Sequence, residues 1–226
     1  QRQMCIRDRY NPSYISCTYG AGGGNVGANR EVCQMIKNAG TTPVTHFTVI
    51  KNTKEGIKEQ LDQYLADGVD HMLALRGDIP LGETTTCGDF DYATDLVKFV
   101  RDTYGDKFEI AVAGSPEGHI SCRSLESDIA VLKQKQDNGA DYIMTQLCWD
   151  MEQFKYWLDA IRQAGITMPV DVGVMPILDQ AATINMALSR NGCVMDRELS
   201  RMISRLAIRL TPRRRSFTLR SKGMPS

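Results

Sequence analysis

From residue 13 to residue 176 the chain repeats one unit, a short run of apolar and β-branched residues followed by a longer stretch with helical periodicity. The runs are "SYISCTY" (13–19), "TPVTHFTVI" (42–50), "HMLALRG" (71–77), "FEIAVAG" (108–114), "YIMTQL" (142–147) and "VDVGVMP" (170–176). Between them lie helix patterns such as "KEGIKEQLDQYLADG", where Ile57, Leu61, Tyr64 and Leu65 share a face and Gly68 marks the stop. "SLESDIAVLKQKQDNGA" reads likewise, with Ser124 as N-cap and Gly139 beyond the end. A strand recurring at intervals of roughly 30 residues, each time with a helix between, is the rhythm of βαβ units and predicts a parallel sheet.

An open doubly wound sheet and a (β/α)8 TIM barrel share this rhythm. The position of the polar residues separates them. Thr18, Tyr19, His46, Arg76, Asp78, Ser115 to His119, Thr145, Gln146 and Met175 to Asp179 all lie at or just past the C-terminal ends of their strands. An open sheet concentrates such groups at one switch point, whereas a barrel draws them from nearly every strand. The chain therefore reads as α/β, a TIM barrel, and 226 residues suit a single domain of that kind.

Charge divides the chain into three parts. Residues 197–226 hold eight arginines and Lys222 against Glu198, and residues 1–9 hold three arginines against Asp8, so a formally neutral chain has an acidic body. That body would repel a nucleic-acid backbone, and no window is long and apolar enough for a membrane span. The opening "QRQMCIRDR" has no apolar period and resembles translated adapter sequence; residues 1–9 are set apart as an artefactual or disordered leader. Residues 10–205 form the domain. Residues 206–226 form a basic tail with three readings: an arm for RNA or anionic lipid, a solvated helix face bearing Arg197, Arg201, Arg205 and Arg209, or a shifted reading frame. The abrupt change of composition favours a disordered or frame-shifted tail. Seven scattered cysteines without a C-x-x-C pair argue against a disulfide framework and point to a cytoplasmic setting, and three dispersed histidines make no metal site.

Gly22, Gly24 and Gly27 match G-x-G-x-x-G after the first strand. A dinucleotide fold of the Rossmann type also needs an acidic residue at the end of the next strand, yet Lys51 stands there and Glu55 falls inside the following helix. The glycines read as a loop.

In order and spacing, "TYGAGG", "HFT", "ALRGDIP", "AGSPEGH" and "TQLCWD" resemble methylenetetrahydrofolate reductase over about residues 10–205. The resemblance implies a barrel holding FAD at its strand C-terminal ends, where NADH or NADPH and then a folate react in turn, reducing 5,10-methylenetetrahydrofolate to 5-methyltetrahydrofolate. It places Thr18 near the nicotinamide and Tyr19, Ala21, His46, Arg76, Gly77 and Asp78 along the flavin. Tyr92, Ala93, His119, Asp128 and Lys135 would reach toward the ribityl, diphosphate or adenine parts, and Asp78 and Gln146 would be the catalytic and folate-binding groups. Arg76, His119 and Lys135 supply donors for a diphosphate, and Asp78 can accept from pterin N–H groups. Without the resemblance, a surface ion pair is the lesser reading of Arg76 and Asp78, and His71 is read as a core histidine.

The chain also departs from the family pattern. The family's first strand, with its proton-donating glutamate, and its eighth, with a folate-binding arginine, have no counterparts here, so about six of eight strands are expected. Ser115 stands where some relatives have a flavin-stacking tyrosine, and Gln134 where some have arginine. A barrel lacking two strands should be weakly stable and impaired in activity. The alternative is a non-catalytic module binding flavin or another protein; under either reading the partners allow a homo-oligomer or a partner subunit. Deleting residues 206–226 separates a functional arm from translation noise: loss of a binding partner in pull-down marks the arm, and unchanged behaviour marks noise.

Overall fold

A computed structural model describes residues 10–18, 26–79, 82–119, 121–177, 179–188, 195 and 197–210. Elements alternate as β1 (Tyr14–Cys17), α1 (Val26–Asn38), β2 (Thr42–Thr48), α2 (Lys54–Ala66), β3 (His71–Leu75), α3 (Ala93–Tyr104), β4 (Glu109–Gly114), α4 (Leu125–Asp137), β5 (Tyr142–Thr145), α5 (Met151–Gln163), β6 (Val170–Asp171), α6 (Gln180–Leu188) and α7 (Arg197–Leu210). A single 3-10 turn, Gly105–Lys107, precedes β4. All six strand runs form strands, joined in parallel in the order β1-β2-β3-β4-β5-β6.

The local signals act as read. Thr53 caps α2 through its hydroxyl at 3.1 Å from the Gly56 N–H, and Gly68 follows the helix end at a φ of 67°. Ser124 and Ser127 cap α4 reciprocally, and Gly139 follows at 101°. The last run is the exception. Only Val170 and Asp171 pair with β5, because the Gly173 N–H turns to the Thr145 hydroxyl at 2.9 Å while Val174 is left 80% exposed.

Side chains alternate between two faces. Outward residues Phe47, Met72, Ile110, Val112 and Ile143 meet Ile57, Leu61, Tyr64, Leu96, Trp157 and Ile161 of the helices in the main core. Gly114 makes room for that layer, since a Cβ there would lie 2.6 Å from Ile143 Cγ2 and 3.1 Å from the Trp157 ring. Inward residues Val44, Leu73, Ala111 and Tyr142 form a second, smaller cluster with Tyr14, Leu75 and Met144 packed against it.

One contact defines the curvature. The Tyr14 hydroxyl on β1 donates to the Asp171 carboxylate on β6 at 2.7 Å, joining the two outermost strands. In a flat sheet of six strands these would stand about 24 Å apart, beyond the combined reach of the two side chains. The sheet is therefore rolled, with the inward cluster enclosed, as an incomplete (β/α)8 barrel. Burial first, and then the Asp171 carboxylate, pushes the Tyr14 phenol well above its ordinary value and keeps it a donor.

Two substitutions test this account by urea denaturation. Tyr14→Phe should cost about 1 kcal/mol, and its double-mutant cycle with Asp171→Asn should show coupling of similar size. Thr48 is buried with its hydroxyl lacking any hydrogen-bond partner among the described residues, so Thr48→Val should be neutral or stabilising by up to about 1 kcal/mol.

Candidate active site

Because every strand runs the same way, every strand C-terminal end opens on one rim. Thr18 follows β1 directly, His46 lies on the inward face of β2, Arg76 to Asp78 follow β3, Ser115 to His119 follow β4, and Gln146 follows β5. Tyr19 and Ala21, like Gly22 and Gly24, lie outside the described residues.

Beside the ends of β3 and β4 lies a charged cluster built from three elements. The backbone N–H of His119 donates to Asp128 Oδ2 on α4 at 3.2 Å, and the Cys122 thiol contacts the other oxygen at 3.6 Å. About two turns further along α4, Lys135 donates to the Ala113 carbonyl on β4 at 3.0 Å. Burial pulls its ammonium below the ordinary lysine value, with Asp128 and Cys122 opposing. Burial also lowers His119; Asp128 opposes that shift, and the Arg76 and Lys135 charges add to it. His119 Nδ1 accepts the Ser121 N–H at 3.2 Å, so the neutral ring carries its proton on Nε2.

Arg76 completes the cluster without a carboxylate of its own. Its Nε makes a long contact of 3.4 Å to the Gly77 carbonyl, and among the described residues it forms no ion pair, with Asp78 or any other acid. The surface-pair reading is thus not realised. Gly77 is required where it stands: φ is 86°, and a Cβ would meet Ile50 Cγ1 at 2.6 Å and Thr48 Cβ at 3.1 Å. Arg76 and Lys135 thus lie within Coulombic range of His119, and Asp128 faces both His119 and Lys135, an arrangement suited to an anionic ligand.

The remaining candidates are placed differently. His46 is partly buried inside the barrel, and burial lowers its basicity. The Gln146 N–H extends the ladder to the Gly114 carbonyl at 2.7 Å, while its side-chain oxygen accepts the Leu147 N–H at 2.8 Å. Asp78 is exposed beside Arg76. Tyr92 is the N-cap of α3, its N–H bound to Asp95 at 3.1 Å and its ring 61% exposed; Ala93 is buried in the core. No described contact joins Tyr92 or Ala93 to the charged cluster. His71 lies at the opposite, N-terminal end, bridging Asp70 at 2.7 Å and Glu109 at 3.0 Å and only partly buried, so it is satisfied but is not a core group.

Sequence reasoning passed over Asn29. It is 4% exposed and joins β1, β2, α1 and α2 by side-chain hydrogen bonds. A signal was present: Asn29, Cys33 and Ile36 fall on one helical face, and that face is the buried one.

A rolled parallel β/α sheet with a basic, polar rim defines a barrel protein of the ligand-binding or catalytic kind. Residues 2–205 match the family profile described as methylenetetrahydrofolate reductase, and the chain belongs to that family. It is 36% identical over 191 residues to methylenetetrahydrofolate reductase (NADH) 1 of Arabidopsis thaliana, covering 79% of this chain and 32% of that protein. To the 5,10-methylenetetrahydrofolate reductase of Pectobacterium carotovorum it is 34% identical over 168 residues, covering 74% and 54%. The chain thus spans between about a third and about half of these relatives. In fold it is similar to a Clostridium thermocellum protein described as binding two copies of 5-methyl-5,6,7,8-tetrahydrofolic acid. The TM-score is 0.60 at 14% identity, over 90% of this chain and 68% of that one.

Because His46 is held below its ordinary value near 6.5, the unfolded chain binds the proton more readily as pH falls. The neutral-ring contribution to stability is complete above that value and is lost as pH drops from about 6.5 toward the lower folded-state value. Thermal melts between pH 7.5 and 5 should show His46→Gln with a shallower acid decline than the wild-type chain.

Proposed function

We propose that this chain is the barrel portion of an enzyme that reduces 5,10-methylenetetrahydrofolate to 5-methyltetrahydrofolate, with FAD as bound cofactor and NADH or NADPH as donor. The observation that carries the reading is the cluster of Arg76, His119 and Lys135, with Asp128 facing His119 and Lys135, at the strand ends of a chain of this family. Three donors in one cluster fit a dinucleotide diphosphate, and among the described residues Arg76 has no ion-pair partner that it must give up. FAD, when bound, supplies hydride transfer between nicotinamide and folate.

The chain's own residues would do the rest. Lys135 and Arg76 hold the diphosphate, His119 offers its Nε2 proton, and Asp128 fixes the loop through the His119 N–H. Thr18, with Tyr19 and Ala21, and His46, Gly77 and Asp78 border the ring system, and Tyr92 and Ala93 lie toward the outer parts of the cofactor. On the substrate side, Asp78 accepts from pterin N–H groups, while Gln146 contacts nicotinamide and folate in turn. The unbridged thiols of Cys17, Cys33 and Cys87 suit a reducing, cytoplasmic setting.

The chain expressed in Escherichia coli should copurify with, or take up, FAD, read as flavin absorbance, and NADH or NADPH should bleach it without oxygen. Lys135→Met should weaken FAD at least about tenfold, since a charge-assisted contact is worth about 1.5–3 kcal/mol, and should weaken riboflavin far less. A chain that takes up no flavin, or a variant losing both ligands equally, contradicts the proposal.

A further inference from the structure

We infer that Asn29 is a positioning residue that sets the Thr18 end of β1. The inference rests on the reading of Thr18 as a neighbour of the nicotinamide. The Asn29 amide nitrogen donates to two successive carbonyls, Cys17 O at 3.1 Å and Thr18 O at 3.0 Å. Successive carbonyls of an extended strand point to opposite sides, so one amide can serve both only if the chain turns out of the ladder between these residues. β1 ends at Cys17.

The other end of the amide is fixed just as firmly. Asn29 Oδ1 accepts from the Thr45 hydroxyl on β2 at 2.8 Å and the Tyr64 hydroxyl on α2 at 2.7 Å, with the Cys33 thiol at 3.6 Å. Carbonyls can only accept, so the amide cannot be reversed without setting its oxygen against Cys17 and Thr18. Asn29, Thr45, Tyr64 and Cys33 are all buried. The angle at which β1 delivers Thr18 to the rim is therefore set from behind the sheet by one side chain that touches no ligand.

Separate variants remove the two halves of this link. Asn29→Ala and the near-isosteric Asn29→Asp take away the amide donor to Thr18; Tyr64→Phe removes one bond at Oδ1 and leaves that donor in place. Hydrogen exchange of the full chain, followed on peptides spanning residues 14–28, should rise on the order of tenfold in both Asn29 variants. Tyr64→Phe should stay within about twofold of wild type in this segment even where its melting temperature falls as far. With FAD bound, the Asn29 variants should show flavin reduction by NADH or NADPH slowed on the order of tenfold at saturating donor, with FAD affinity changed less than about threefold. A purely structural residue would instead track melting temperature across all three variants. Unchanged exchange in both Asn29 variants, or faster exchange with wild-type reduction rates, overturns the inference. A wild-type chain that takes up no FAD overturns the functional reading alone, and the exchange data still decide whether Asn29 holds Thr18.

Discussion

Six parallel strands can place their chemistry at only one end, and rolling the sheet turns that end from a line into a rim. The roll is visible in a single contact between residues 157 positions apart, the Tyr14 phenol and the Asp171 carboxylate. It joins the outer strands on the inward face, beside the cluster of Val44, Leu73, Ala111 and Tyr142. The arrangement of Thr18, His46, Arg76, His119 and Gln146 around a common opening follows from this curvature, because on a flat sheet the first and fifth strands would be about 19 Å apart.

The two faces of the sheet do different work. The outer face carries the main apolar core and includes Trp157 packed over Gly114, so stability is concentrated between strands and helices. The inner face is thin in apolar groups and holds His46, Thr48 and the Tyr14–Asp171 pair. Polar groups kept inside at some cost in stability are the usual mark of a site. The charged cluster at the strand ends has the same character, with a desolvated ammonium at Lys135 and, among the described residues, no ion-pair partner for the Arg76 guanidinium.

Asn29 links those two faces. Its helix packs on the outside of the sheet, yet its amide governs where the inner rim begins at Thr18. In the sequence Asn29 shares a helical face with Cys33 and Ile36, while Val32 and Met35 fall outside it. In the folded chain this shared face is the buried one: Met35 is 64% exposed and Asn29 is buried. Four hydroxyl or carbonyl partners outside its helix outweigh the apolar preference at that position.

Periodicity and strand-end polarity by themselves determined that this chain is a parallel β/α protein, which residues cap helices such as α2 and α4, and that Arg76, His119 and Gln146 lie at one edge of the sheet. These properties are local, written in alternation and capping over spans of a few residues. Strand-end polarity also favoured a barrel over an open sheet, and only the tertiary structure decided which contact joins its outer strands, that Arg76 and Asp78 remain unpaired with each other, that Lys135 turns its ammonium to β4, and that Asn29 holds Thr18. Each of these depends on groups far apart in sequence meeting at hydrogen-bond or Coulombic range, and no local pattern encodes such a distance.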